Sequence, residues 1–144
     1  MKVLLAYDGS ASAEAAVTEL IQVRKGEGVD VRIVNVVQPA LVAVPPQMAP
    51  GYAPELEEEK AKARSILDGV ATRLRVAGYR AEIVVRQGEI RKTILDMAEE
   101  WNADLIMLGS HGYGQVKRFW LGSVAEYVAR HADCSVEIVR GRAA

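Results

Sequence analysis

The sequence predicts an α/β fold: an open, twisted, mainly parallel five-stranded sheet with helices on both faces, in a single domain over residues 1–144. Three observations predict it. Short runs of valine, isoleucine and leucine alternate with segments whose apolar residues recur at helical spacing, the rhythm of a parallel sheet joined by crossover helices. Most of the runs are nearly uninterrupted, as strands covered on both faces are. The 144 residues, half of them hydrophobic and 26% charged, can bury such a core without disulfides or a structural metal.

Val3 to Tyr7 is the first buried strand. Asp8-Gly9-Ser10 turns the chain, and Ser10 caps a helix striped by Ala13, Ala16, Val17, Leu20 and Ile21. Gly26 and Gly28 close that helix. Val29 to Val37 is the second strand. From Gln38 to Pro54 the rhythm stops. The chain's five prolines all lie here, at 39, 45, 46, 50 and 54, so a long loop is expected, of the length that lids and binding loops take. Glu55 to Ala77 is a long amphipathic helix with an apolar face of Ala63, Ile66, Leu67, Val70, Leu74 and Ala77. Its acidic start complements the helix dipole, and Gly78 ends it. Tyr79, Ala81, Ile83 and Val85 alternate with Arg80, Glu82 and Arg86, a strand with one more exposed face. After a turn at Gly88, Ile90, Ile94, Met97, Ala98 and Trp101 form the next stripe. Asp104 to Leu108 is the fourth strand, Val124, Tyr127, Val128 and His131 mark the last helix, and Ser135 to Val139 is the last strand.

Composition narrows the function. A net charge of −1 lacks the basic footprint of general nucleic-acid binding. The single cysteine, Cys134, leaves no internal disulfide and no multi-cysteine zinc site, and two histidines, His111 and His131, are too few for most histidine-based metal sites. No apolar stretch reaches the ~20 residues of a membrane span. The opening apolar run is too short for a signal-peptide core. A cytoplasmic protein without nucleic-acid or membrane partners is expected.

Ligands of parallel sheets bind beyond the carboxyl ends of strands, near the switch in strand order. Those ends carry Asp8, Val36 and the loop from Gly109. That loop reads Gly109, two residues, Gly112, nine residues, Gly122-Ser123, between a strand and a helix. Glycines there let backbone amides approach a phosphate. The spacing is neither a Walker loop, which needs Gly-Lys-Ser/Thr, nor a dinucleotide fingerprint, since position 117 is lysine. Each residue also has a plainer role. Asp8 before Gly9 fits a turn, Val36 fits a buried strand, Gly109 and Gly112 fit ordinary turns, and Ser123 caps the helix by its spacing. His111 has no evident nucleophile to serve. Lys117 and Arg118 suit either phosphate or solvent, His131 and the Met97–Trp101 stripe read as packing, and Cys134 as a small buried hydrophobe.

Along nearly its whole length the chain resembles the universal stress proteins of the single-domain, nucleotide-binding kind. The residues that carry the resemblance are Asp8-Gly9-Ser10 after the first strand, Val36-Val37 closing the second, Gly88 before a helix, the run Ala103 to Gly109, and Gly122-Ser123-Val124. The resemblance implies strand order 3-2-1-4-5 and an ATP site, with Mg2+ accompanying the triphosphate. Asp8 would lie near the ribose or a phosphate-bound metal, and the Val36 backbone would meet adenine. Gly109 and Gly112 would wrap ribose and phosphate, and Gly122, Ser123 and Val124 would reach the phosphates. Ala6, Leu108, Gly114 and Gln115 complete the implied set. Cyclic AMP or AMP is an alternative ligand, and an ATP-using enzyme of related architecture an alternative class; hydrolysis is expected to be slow or absent. The resemblance also implies a homodimer through the last strand. Here the chain departs from the family's usual Cys-Pro-Val-aliphatic ending: it reads Cys134-Ser135-Val136-Glu137-Ile138-Val139. Glu137 is expected either to pair with Arg140 or Arg142 of a second copy, or to weaken that contact or shift dimerisation to another surface, since like charges directly opposite repel.

Overall fold

A computed structural model describes residues 1–24, 26, 28–39, 54–111 and 121–141. The expectations for prolines 45, 46 and 50, Gly112, Gly114, Gln115, Lys117, Arg118 and Arg142 lie outside the described residues.

Five strands, β1 (Lys2–Ala6), β2 (Asp30–Val37), β3 (Arg80–Gln87), β4 (Leu105–Gly109) and β5 (Ser135–Val139), are interleaved with four helices, α1 (Ala11–Val23), α2 (Pro54–Val76), α3 (Ile90–Trp101) and α4 (Ser123–His131). The sheet runs β3-β2-β1-β4-β5 and all four pairings are parallel. β1 is central because it is apolar on both faces. Val3 and Leu5 pack with the inner faces of α1 and α2, and Leu4 packs with α3 and α4. Successive side chains of a strand point to opposite faces, so one short run feeds two cores.

Beyond the hydrogen bonds of the strands themselves, β1 and β4 are tied at their starts. The Lys2 amide donates to the Asp104 carboxylate at 2.7 Å, and the Asp104 amide donates back to the Lys2 carbonyl at 2.8 Å. Ser10 caps α1 as expected, accepting from the Ala13 amide at 3.2 Å. The other end of α1 differs from expectation. Gly26 and Gly28 do not close it; the helix stops at Val23 with Arg24 in an extended conformation. Instead the Tyr79 hydroxyl reaches the carbonyls of Leu20 and Arg24, partnering groups that a helix end leaves orphaned. Gly26 serves packing: a Cβ there would stand 2.8 Å from backbone atoms of Gly78 and Tyr79.

Three stripes shift slightly. α2 begins at Pro54, where a missing N–H costs nothing. Its buried face takes in Ala71 and leaves Ile66 exposed. In α4 the buried residues are Ala125 and Val128, while His131 is exposed and stacks on Tyr127 at 4.1 Å between ring centres, so it is not core packing. Its apolar neighbours in sequence suggested burial, but its position on the helix turns it outward. Met97 is buried, and Trp101 is half-buried with the guanidinium of Arg32 4.6 Å over its ring. Cys134 is half-buried, and burial, with Asp133 and Asp104 nearby, pushes its thiol above the ordinary value.

Glu137 finds its partner within the chain. It lies on the α1 face of β5, because Val136 and Ile138 on either side turn toward α3 and α4. Its carboxylate meets the guanidinium of Arg24 at 3.0 Å. The expected pairing with a second copy's arginine is therefore not needed to neutralise it.

α3 is capped by Glu89, whose carboxylate accepts from the Lys92 amide at 2.9 Å and the Arg91 amide at 3.2 Å. The Lys92 amide first, and then the Arg91 side chain, hold this carboxyl below its ordinary value. A carboxyl depressed in the folded state stabilises it above the unfolded-state value and loses that contribution as pH falls through the folded one. Glu89→Ala is therefore expected to lower the melting temperature at pH 7, with the gap to wild type closing between about pH 5 and about pH 2. Thermal melts across that range check it; a gap independent of pH would contradict the capping role.

Candidate functional site

β2 outruns β1 at the carboxyl end of the sheet. The last registered pair is Ala6 with Val34, after which the Tyr7 amide still donates to the Val34 carbonyl at 2.9 Å. Alternate residues of a parallel strand turn their backbone groups to the same neighbour. The amide and carbonyl of Val36 therefore turn toward β1's side of the sheet, beyond the point where β1 has ended. Asn35 holds that end in place by donating its side-chain amide to the Tyr7 carbonyl at 2.8 Å.

Past this edge lies a cleft of about 340 Å³. Ala6, Val34 and Leu108 form its floor. Asp8, Ser10 and Ala13 stand on the β1–α1 side, and Ile90 and Ile94 of α3 line another wall. His111, Gly122, Ser123 and Val124 close it at the start of α4. Of the residues singled out in the sequence, Ala6, Asp8, Val36, Leu108, Gly109, Gly122, Ser123 and Val124 all line this one cleft. Asp8 also makes the turn, its Oδ1 accepting from the Ser10 amide at 2.9 Å beside Gly9 at φ 81°. Its two sequence readings are thus compatible.

The glycines have reasons the sequence does not disclose. A Cβ on Gly109 would stand 2.3 Å from the Ser12 hydroxyl and 2.7 Å from the Ala13 amide nitrogen, so glycine here lets β4 lie against the first turn of α1. A Cβ on Gly122 would stand 3.0 Å from the Ser110 carbonyl oxygen, to which the Gly122 amide donates at 2.7 Å. Gly122, with φ −62° and ψ 156°, occupies the cap position of α4, and Ser123 is the first helical residue. Ser123 is therefore not the cap, and its side chain stands exposed.

Sequence reasoning passed over Ser12, Asn35 and Ser110. Ser12 is buried in the first turn of α1, and its hydroxyl donates to the His111 carbonyl and accepts from the His111 amide. Asn35 left a trace, a polar residue interrupting an apolar strand. Ser12 left none, because its partner lies 99 residues away. Among the described residues, no three His, Cys, Asp or Glu side chains gather as a protein-built metal site would need. No described helix is long and apolar enough to cross a membrane.

This arrangement defines a doubly wound α/β protein with a cleft at its topological switch point. The family model described as the universal stress protein family matches residues 1–140. The chain is 40% identical over 85 residues to the universal stress protein Sll1388 of Synechocystis, a match covering 59% of this chain and 55% of that one. It is 30% identical to the universal stress protein YxiE of Bacillus subtilis, covering 96% of this chain and 98% of that one. The chain belongs to the universal stress protein family. Solved structures share the fold. Protein MJ0577 superposes with a TM-score of 0.85 at 24% identity, covering 99% of this chain and 97% of that one. A universal stress protein in complex with cAMP gives 0.70 at 24%, covering 99% and 98%. The Arabidopsis thaliana protein At3g01520 with AMP bound gives 0.72 at 18%, covering 99% and 93%.

Gly109→Ala is expected to destabilise the protein by about 2–3 kcal/mol, because its new Cβ meets backbone rather than a yielding side chain. Gly69→Ala, in α2 with open space around the site, should stabilise by about 1 kcal/mol. Urea unfolding of both variants checks the contrast; equal midpoints would refute the close-approach reading of Gly109.

Proposed function

We propose that this protein holds an adenine nucleotide, with ATP as the leading candidate, and acts as a cytoplasmic, nucleotide-responsive stress module. The observation that carries this reading is the overhang of β2 beyond β1. It offers the Val36 backbone amide and carbonyl to a planar base, while the cleft continues to the start of α4. A base edge that both donates and accepts suits that pair of groups, and amides at a helix start suit phosphate. Asp8 stands near the ribose or a nucleotide-bound Mg2+, and Gly109, Gly122, Ser123 and Val124 line the phosphate end. The relatives solved with cAMP and AMP support an adenine ligand and keep the monophosphates as the second reading. Holding is favoured over consuming. The one carboxylate of the described lining, Asp8, is engaged by the Ser10 amide that forms the turn.

Mass spectrometry of small molecules released from purified protein, followed by calorimetry with ATP, AMP and cAMP, tests the reading. Binding of at least one adenine nucleotide, weakened tenfold or more by a bulky residue at Ala6 in the cleft floor, is the expected result. No binding by any of the three would overturn it.

The same reading includes a homodimer through β5, the strand at one edge of the sheet. The Arg24–Glu137 pair would keep the carboxylate neutralised within each copy. Wild type is then expected to sediment as a dimer, and Arg24→Ala to dissociate more at low than at high ionic strength, because the Glu137 carboxylate has lost its partner. Unchanged sedimentation of the variant would remove Arg24 from the account.

A further inference from the structure

We infer that Arg75 closes the β3 edge of the sheet to strand addition, so that a second copy of this chain cannot extend the sheet there. The inference concerns the edge opposite β5 and goes beyond the nucleotide and dimer readings above. β3 pairs with β2 on one side, and among the described residues no strand lies on its other side. The amides of Arg80 and Gly88 donate to the Val29 and Val37 carbonyls at the two ends of β2. Even-numbered residues of β3 therefore turn their backbone groups inward, and Ala81, Ile83 and Val85 turn theirs to the outer edge. Outward groups of this kind are a template for another strand. The segment suits such pairing, because Ile83-Val84-Val85 is a β-branched run in the middle of the strand.

One of these outward positions is already taken. The Arg75 guanidinium, in the last turn of α2, donates to the Ala81 carbonyl through Nε at 3.1 Å and through Nη2 at 2.8 Å. The turn between α2 and β3, with Gly78 at φ 97° and the Tyr79 amide on the Leu74 carbonyl at 3.0 Å, folds the helix end back against the strand. The bonds go to the strand and not to carbonyls of α2, so they are not a helix cap. A carbonyl oxygen has two lone pairs, and the two N–H groups occupy both. They stand where the amide of an added strand would have to donate, and they put a charge in the path of its backbone. Two copies laid antiparallel about Val84 would set Ile83 against Val85 and Ala81 against Gln87 of the other copy. Both ends of that ladder use an Ala81 carbonyl, so two arginines block it at once and leave only its central pairs.

The test is sedimentation of wild type, Arg75→Ala and Lys62→Ala over a range of concentrations, with amide exchange followed by NMR. Lys62 lies on the same helix, exposed and paired with Glu58 at 3.6 Å, so its loss removes the same charge away from the edge. Arg75→Ala is expected to gain mass with concentration, at least doubling the wild-type species, and Lys62→Ala to match wild type. In the associated variant the Ile83 and Val85 amides should exchange slower by about tenfold or more than in dilute protein. In wild type they should exchange fast at every concentration. The outward amides of β5, Val136 and Ile138, report separately on the dimer proposed there, since Val139 turns its carbonyl inward to the Ser110 amide. Arg75→Lys keeps the charge and lacks the fork. It should associate in the same way more weakly, and it carries the test if the alanine variant does not fold. Wild-type mass at every concentration for each folded Arg75 variant would overturn the inference. So would added mass with the Ile83 and Val85 amides still exchanging fast, because the association would then run through another surface.

Discussion

The cleft depends on one small joint. At Ser12 the first turn of α1 meets the exits of both β4 and β5. Its hydroxyl closes on both backbone groups of His111, Gly109 permits β4 to approach it, and a Cβ on Gly141 would stand 3.1 Å from its Cα. Three segments far apart in sequence are held there within van der Waals contact, where a single added methyl group has no room. The position of the α4 start follows from this joint, because Gly122 hangs from the Ser110 carbonyl. Without the joint, the wall of the cleft carrying His111 would lose its anchor.

The architecture explains why such a joint sits where it does. A parallel sheet with helices on both faces buries its strands almost completely and leaves irregular backbone at its ends. At the amino end the Lys2 and Asp104 bonds seal the sheet between β1 and β4. At the carboxyl end β1 stops short of β2, and the chain turns away through Asp8 and Gly9. The open space therefore falls beside the central strand, where the strand order reverses. Among the described residues, small side chains and backbone groups dominate the polar part of its wall.

Much of this was legible in the sequence. Val3-Leu4-Leu5 could only be a strand buried on both faces, and the stripe of Ile94, Met97 and Ala98 could only be a helix face. Those periodicities depend on neighbours within a few residues, which a sequence displays directly. The gathering of Asp8, Val36 and Gly109 was legible too, because the strand-end rule converts chain order into position. The reason for each glycine was not. Gly109 and Gly122 were read as facing a ligand, yet their missing Cβ atoms face Ser12 and Ser110. Ser12 itself looked like any small residue of a first helical turn. Its partner is 99 residues distant, and no local pattern encodes that separation. Glu137 likewise reads from the sequence as a charge for a second copy to answer, whereas the alternation of β5 places it beside Arg24 of its own chain.

The central strand precedes β4, its neighbour on one side, by about a hundred residues. The Lys2–Asp104 and Ser12–His111 bonds each span that interval. On a ribosome, therefore, β1 and α1 must wait with one flank uncovered until β4 emerges. The cleft is not complete in a chain that stops before the start of α4, and any molecule that fitted it would select for chains whose assembly is finished.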